Sequence, residues 1–453
     1  MSEAQPRVVV VGGGLAGISA ALGLADAGWA VTLLETRARL GGATYSFQRE
    51  GLAVDTGQHV LLRCYTEHRA LLARLGVASK VPVQPRLEIP VLAPGRPVAW
   101  LRRDDHGPPP MHLGRALLGY PALSWAERIQ AVRAAAALRR VDFADPLRDR
   151  ETFGAWLHAH GQSDRALTRL WGLVCVAALN LQPDEASLAL AARVFRTGLL
   201  DDVSAGDIAV PQVPLGDLHD GPARRLLERL GVRVATSERV LELTQAGGGV
   251  VARTSSGEVE SDAVVVAVPH RHAAGLVPPE AVPDRDRWAG LGAAPIVNVH
   301  VRYDRAVAAM PMGFAAVLDS PVPWVFDRTA SAGADGQYLV VSISAADAEL
   351  GRQADDLARE HQEALTRLFP AARDACVLDS FVTREPHATF RQGAGVAALR
   401  PPAQTRSPSV WLAGSWTGTG WPDTMEGAVR SGASAASQVG TPDQARRLTE
   451  VSG

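Results

Sequence analysis

Three glycines, Gly12, Gly14 and Gly17, stand between a β-branched run, Arg7 to Val11, and an alanine-rich apolar stretch ending at Asp26. Backbone amides reach a diphosphate only where side chains are missing, and the N-terminus of a following helix adds positive potential. In that pattern Gly12 permits the tight turn, Gly14 the approach of the phosphates and Gly17 the packing of helix on strand, with Leu15 and Ala16 between them. A second run, Ala30 to Leu34, ends at Glu35, 18 residues past Gly17, where a carboxylate can accept ribose hydroxyls. The chemistry expected here is dinucleotide binding. Candidate proton donors lie further on: His59 behind Gly57 and Gln58, then Tyr65, Asp423 and Glu426. A lone histidine is equally a structural hydrogen bonder, and the other three are equally packing, turn or cap residues. His158 with His160 and His270 with His272 keep an H-x-H spacing without a third ligand, so no metal site is expected. Cys64, Cys175 and Cys376 are too few and too far apart for a disulfide framework or a zinc site.

The elements that hold these residues follow from the patterning. Strand, turn, helix and strand over Arg7 to Glu35 form a βαβ unit with a right-handed crossover. The chain of 453 residues is long enough for two or three domains at roughly 150 residues each. Met111 to Arg140 reads as helical, apolar residues alternating with arginines, and helices continue over Thr152 to Arg196. Gly231 to Leu243 and Gly249 to Val268 alternate as strands and end in a buried run, a return to the first sheet. Pro295 to Tyr303 and Gly336 to Ser344 suit half-buried antiparallel strands, and Ala345 to Phe369 a helix. Ser409 to Ala413 reads as a strand leading through a Gly- and Trp-rich segment into a small-residue helix from Glu426 to Val439. With 46 Lys+Arg against 48 Asp+Glu, net charge −2, no global basic field exists and no nucleic-acid partner is expected. No run approaches about 18 consecutive apolar residues, and the N-terminus enters a strand pattern without a signal-peptide core. A cytoplasmic location is expected.

Beyond the second strand, Glu35-Thr36-Arg37-Ala38-Arg39-Leu40-Gly41-Gly42 and Asp55-Thr56-Gly57-Gln58-His59 resemble the flavin-containing amine oxidase and phytoene desaturase superfamily. The resemblance implies FAD as cofactor, with Gly41 and Gly42 passing close to the isoalloxazine ring. Ala43 departs from the pattern, which often has arginine there. Trp411 to Thr417 is similar to the late strand whose turn touches the ribityl chain, Gly414 leading it and Ser415 standing at the usual aspartate. Trp421, Thr424, Met425 and Ala428 fall in the segment that, by resemblance, aims helix amides at the flavin pyrimidine carbonyl. Val240 matches the strand position whose backbone contacts adenine, and is equally a core valine. The implied fold is α/β: a glutathione-reductase-like FAD-binding Rossmann domain, discontinuous over 1–80, 216–275 and 401–440, with an α+β substrate domain, a mixed sheet plus helices, over 81–215 and 276–400. A flexible tail is expected over 441–453.

The D-x-G-Q-H motif at 55–59, Cys175 to Asn180 with Ala186-Ser187, Pro386-His387-Ala388, and Thr419 to Ala428 together resemble the hydroxysqualene dehydroxylases of bacterial hopanoid synthesis, over about residues 7–435. That implies reduction of hydroxysqualene to squalene by reduced FAD, an apolar isoprenoid substrate, and other squalene-pathway enzymes as partners. Replacing hydroxyl by hydrogen requires an acid, a dry apolar slot and a hydride from flavin N5. His59 is the first candidate for the acid, and Trp416 and Trp421 for aromatic faces beside the ring. Because such a substrate comes from a bilayer, the Met111 to Arg140 segment either lies on anionic lipid at the inner face of the membrane or is a buried domain helix. Rival readings are a carotenoid-type desaturase, with electrons flowing the other way, and a redox-silent flavin scaffold. An amine oxidase is disfavoured because Lys80 is the sole lysine.

Overall fold

A computed structural model describes residues 5–246 and 248–442, so the tail expected over 441–453 lies, from residue 443 on, outside the described residues. Strand β1 (Arg7–Val11) is four valines after an arginine, all four buried, as a strand covered on both faces must be. Helix α1 (Leu15–Asp26) crosses back to strand β2 (Ala30–Glu35), which runs parallel to β1 with Val11 opposite Leu34. The sheet continues on both sides, in the order Val410–Leu412, Ala263–Val266, β1, β2, Arg233–Thr236, every pair parallel. Its carboxyl ends gather on one edge, where open α/β sheets bind ligands. Between the Arg233–Thr236 and Ala263–Val266 strands the chain makes a separate antiparallel sheet of Val240–Ala246, Gly249–Thr254 and Glu258–Ser261. Only part of the 231–268 stretch therefore returns to the first sheet.

A second large sheet orders Val377–Thr389, Ala294–Tyr303, Gln337–Ser344, Trp324–Asp327, Phe314–Val317, Glu88–Leu92 and Ala99–Arg102. It is mixed, because Phe314–Val317 pairs with Glu88–Leu92 in parallel and the other pairs are antiparallel. Period-two alternation explains strand Ala294–Tyr303: Val297, Val299 and Val301 pack with Leu357, Ala364 and Leu365 of helix Ala354–Leu368. Asn298 and His300 point the other way and are also fully buried.

The expected helix over Met111 to Arg140 is broken into a 3-10 turn Met111–Leu113, a short helix Gly114–Leu118 and a longer one Trp125–Leu138. Pro121 cannot continue a helix, and the chain restarts at Ser124, whose side chain accepts from Glu127 N–H while the Glu127 carboxylate accepts from Ser124 N–H.

Helix Met425–Val439 packs on α1 along a line of small residues. A Cβ at Gly432 would fall 2.1 Å from the Ala16 carbonyl oxygen, and the Ser19 hydroxyl donates to the Val429 carbonyl at 2.9 Å. Filling that contact forces the helices apart. Gly432→Ala is expected to destabilise by about 1–3 kcal/mol in urea unfolding. Gly275→Ala, whose Cβ would meet nothing within 4 Å, serves as the control and should be neutral or slightly stabilising.

Candidate active site

The two glycine motifs form one cradle. Gly17 allows α1 to sit against β1, since a Cβ there would lie 1.8 Å from the Gly12 carbonyl oxygen. Gly42, at φ +60°, brings its Cα so near Gly14 that a side chain would come within 2.9 Å, and Gly41 N–H donates to the Gly13 carbonyl at 2.8 Å. No side chain caps α1, so the amides around Leu15 and Ala16 are left for a ligand. The Glu35 carboxylate, expected to accept ribose hydroxyls, takes N–H bonds from Gly13 and Arg37, both at 2.7 Å, and so shapes the loop. Thr36 and Arg37 are exposed, as is Ala43. Arg39 lies 3.5 Å over the Tyr45 ring with its buried Nε unpartnered. Burial pushes the Glu385 carboxyl up, against the pull of Arg37, Arg39 and Arg271. Arg271, two residues past Pro269, therefore joins this cationic end, although no sequence motif marks it.

The remaining segments tie into the cradle by hydrogen bonds. Ser237 and Glu238 N–H groups donate to the Arg37 and Glu35 carbonyls, which brings the turn before buried Val240 to the end of β2. Gly414 N–H donates to Ser431, and the Ser415 carbonyl accepts from Arg400 at 2.9 Å. Arg400 is buried and also donates to the Thr417 and Trp421 carbonyls, folding 415–421 around one guanidinium whose pKa burial pushes down to about 10. Trp416 is a correction: it is buried, packed on Trp288 with its Nε1 donating to the Val268 carbonyl, and it fills core rather than facing the site. Trp421 is half-buried, edge-on to Tyr65, with the Arg430 guanidinium 4.4 Å over its ring. Thr424 caps helix 425–439 by accepting Gly427 N–H, and Met425 and half-buried Ala428 follow in its first turn. Glu426 is fully buried and caps a different helix, Thr66–Arg74, by accepting from Glu67 and His68 N–H and from Arg430. Its carboxylate is thus committed to structure.

His59 is half-buried beside Gly57 and Gln58, its Nδ1 3.0 Å from the Gly57 carbonyl. Burial lowers its pKa, against the carbonyl and Asp55, with Arg328 assisting burial. Val60 next to it faces an apolar group that includes Leu62, Phe314, Phe326 and Trp324. The Thr56 hydroxyl donates to the Ala43 carbonyl at 3.1 Å, joining the His59 segment to the cradle, and Asn298 Nδ2 donates to the Thr56 carbonyl. Two further histidines, His68 and His219, meet Nε2 to Nε2 at 3.1 Å. Burial lowers both pKa values, that of His219 to about 3, so one N–H and one lone pair share the contact between neutral rings. Asp423, whose pKa burial raises, accepts Phe390 N–H at 2.7 Å. Tyr65 is likewise held protonated by burial. The polar alternation 298, 300, 302 was visible in the sequence, whereas nothing local marks Arg328, Arg400 or His219.

Residues 15–440 match the family described as flavin containing amine oxidoreductase. The hydroxysqualene dehydroxylase of Sinorhizobium fredii is 30% identical over 445 residues, spanning 95% of this chain and 97% of its own. The probable zeta-carotene desaturase of Synechococcus elongatus is 25% identical over 472 residues, spanning 95% and 98%. An oxidoreductase structure from Methanosarcina mazei shares the fold with TM-score 0.71 at 17% identity, over 94% of this chain and 98% of that one.

One ion pair anchors the site. Asp55 accepts from Arg328 at 2.9 Å, both side chains under a tenth exposed. Arg328→Met leaves the Asp55 charge buried and unpaired, and should cost about 3–5 kcal/mol in urea unfolding. Adding Asp55→Asn should recover part of that loss, since the amide oxygen still accepts from Leu215 N–H; no recovery would show that the pair is not the anchor.

Proposed function

Because the chain belongs to the flavin containing amine oxidoreductases and is an FAD-dependent oxidoreductase, we propose that it acts as a hydroxysqualene dehydroxylase. In that reaction the C–O bond of the alcohol breaks, a hydride forms the new C–H bond, and a proton carries the hydroxyl away, so hydroxysqualene and reduced FAD give squalene, water and oxidised FAD. The observation that carries the reading is near full-length kinship to a dehydroxylase, together with an apolar wall at His59. When bound in reduced form, FAD supplies the hydride.

The residues of this chain fit that cofactor. The side-chain-free contact of Gly14 and Gly42, the uncapped α1 and the unpartnered Arg39 Nε suit a diphosphate, with Arg37 and Arg271 adding charge that Ala43 does not. Glu35 and the Val240 turn suit the adenosine end, and Gly41, Gly57, Gln58, Gly414, Ser415, Trp421, Thr424, Met425 and Ala428 the flavin end. Residues 1–80, 216–275 and 401–440 would then form the FAD-binding part, and 81–215 with 276–400 the substrate part. Val60, Leu62, Phe314 and Trp324 keep water from the carbon that loses its hydroxyl. With Nδ1 donating to the Gly57 carbonyl, His59 carries the transferable proton at Nε2 as an imidazolium.

The test is anaerobic stopped-flow. Enzyme with reduced flavin is mixed with hydroxysqualene in detergent, and return of oxidised-flavin absorbance with squalene formed supports the reading. If instead the reduced enzyme is inert and a polyene precursor bleaches the oxidised enzyme, the chain is a desaturase.

The proton role has its own signature. Since only imidazolium donates and burial holds the His59 pKa below the ordinary 6.5, flavin reoxidation should accelerate as pH falls from 8 through 6.5 and level off below the lowered pKa. His59→Gln should slow it about 10²-fold and flatten the profile. A retained pH limb in that variant would move the role to Asp423 or Tyr65.

A further inference from the structure

Among the described residues ten large apolar side chains are exposed, and four of them, Met111, Leu118, Trp125 and Val132, belong to one short stretch. Met111 is 70% exposed and Trp125 62%, well beyond an incidental surface contact. We propose that this stretch docks on an anionic lipid bilayer, from which the apolar substrate enters; the entry half rests on the isoprenoid reading above.

The four side chains share one surface. Trp125 and Val132 are seven residues apart, two turns on one helix. The Arg128 guanidinium donates to the Leu118 and Leu123 carbonyls, both at 2.9 Å, which clamps the short helix onto the longer one. At the other end Arg139 donates to the Pro109 carbonyl, bringing the turn that carries Met111 beside the helix end. Leu117 is half-buried against the core, so Leu118 is the exposed member of that pair.

Charge selects the occupant. Residues 111–140 contain Arg115, Arg128, Arg133, Arg139 and Arg140 against one carboxylate, Glu127, which is already engaged by Ser124 and Ser163. Asp104 approaches Arg115 and Asp201 approaches Arg139, but among the described residues exposed Arg133 and Arg140 make no ion pair. Exposed apolar side chains in a stretch with an excess of arginine suit acyl chains below anionic headgroups. A second copy would set this cationic surface against itself in a two-fold contact.

The inner side of the stretch reaches toward the candidate site. Leu113 packs into the apolar group containing Phe314 and Trp324, which ends at Val60, the neighbour of His59. One short segment thus faces solvent with apolar side chains outside and borders the candidate site inside.

The test uses the FAD-loaded full chain, without substrate, co-sedimented with vesicles of phosphatidylcholine alone or mixed with phosphatidylglycerol. The chain should bind the mixed vesicles more tightly than the neutral ones. Met111→Glu with Trp125→Glu should weaken binding to both about tenfold or more, and Arg133→Glu with Arg140→Glu should weaken it on the mixed vesicles alone. Far-ultraviolet circular dichroism and flavin retention should be unchanged in both. Equal vesicle binding by the Met111/Trp125 variant overturns the proposal. So does a dimer in sedimentation velocity that this variant dissociates, which would make a second copy the occupant. Because no substrate is present, failure of lipid docking is distinguishable from failure of the dehydroxylase reading.

Discussion

The Asp55 carboxylate ties together segments far apart in the chain. One oxygen accepts the Ser46 hydroxyl and the N–H of Leu215 at the start of helix Leu215–Arg229; the other accepts Arg328, which follows strand Trp324–Asp327 of the mixed sheet. A buried charge cannot be left unpaired without a cost of several kcal/mol, so the arrangement admits little slippage. The segment from Thr56 to His59 leaves directly from this point and is held by Ala43 on one side and Asn298 on the other. Where the dinucleotide cradle stands relative to the apolar wall is therefore decided by one carboxylate and the groups that bond to it.

Polarity then divides the site. At the carboxyl ends of the parallel strands α1 begins without a side-chain cap, and Arg37, Arg39 and Arg271 gather near a single carboxyl, Glu385. Toward His59 charges are paired or absent: Asp55 is matched by Arg328, His68, His219 and His300 are held uncharged by burial, and Glu426 spends its charge on a neighbouring helix and Arg430. FAD, whose charged diphosphate stands a ribityl chain away from a flat, weakly polar ring, matches that division, and the proposed reaction would need the same dryness at its reacting carbon.

Local pattern made the first of these parts legible and left much of the second hidden. Four valines, three glycines and a carboxylate at fixed spacing specify β1, α1 and β2, because each interaction there is made within a single βαβ unit. The helix expected over 111–140 was overextended because arginine-spaced apolar residues carry the same period across Pro121, and the restart depends on the Ser124–Glu127 box. Trp416 looked like part of the flavin face since it neighbours Ser415, yet its direction is set by Val268 and Trp288, far away in the chain. Arg328, Arg400 and His219 have the same character. Each finds its meaning in partners more than a hundred residues off or in carbonyls with no side-chain signature.

A dry slot and a proton donor make opposing demands on the same imidazole. Burial around Val60 would protect the cation-like carbon of the proposed reaction but disfavours the charged form of His59. The Gly57 carbonyl and the Asp55 charge push the other way, while Arg328, which neutralises Asp55, takes part of that support back. The ion pair that ties the strand Leu52–Asp55 to the mixed sheet thus also bears on how much acid strength the proposed donor keeps. Stronger pairing would make a firmer scaffold with a less readily protonated histidine, so the anchor and the chemistry at His59 are not independent choices.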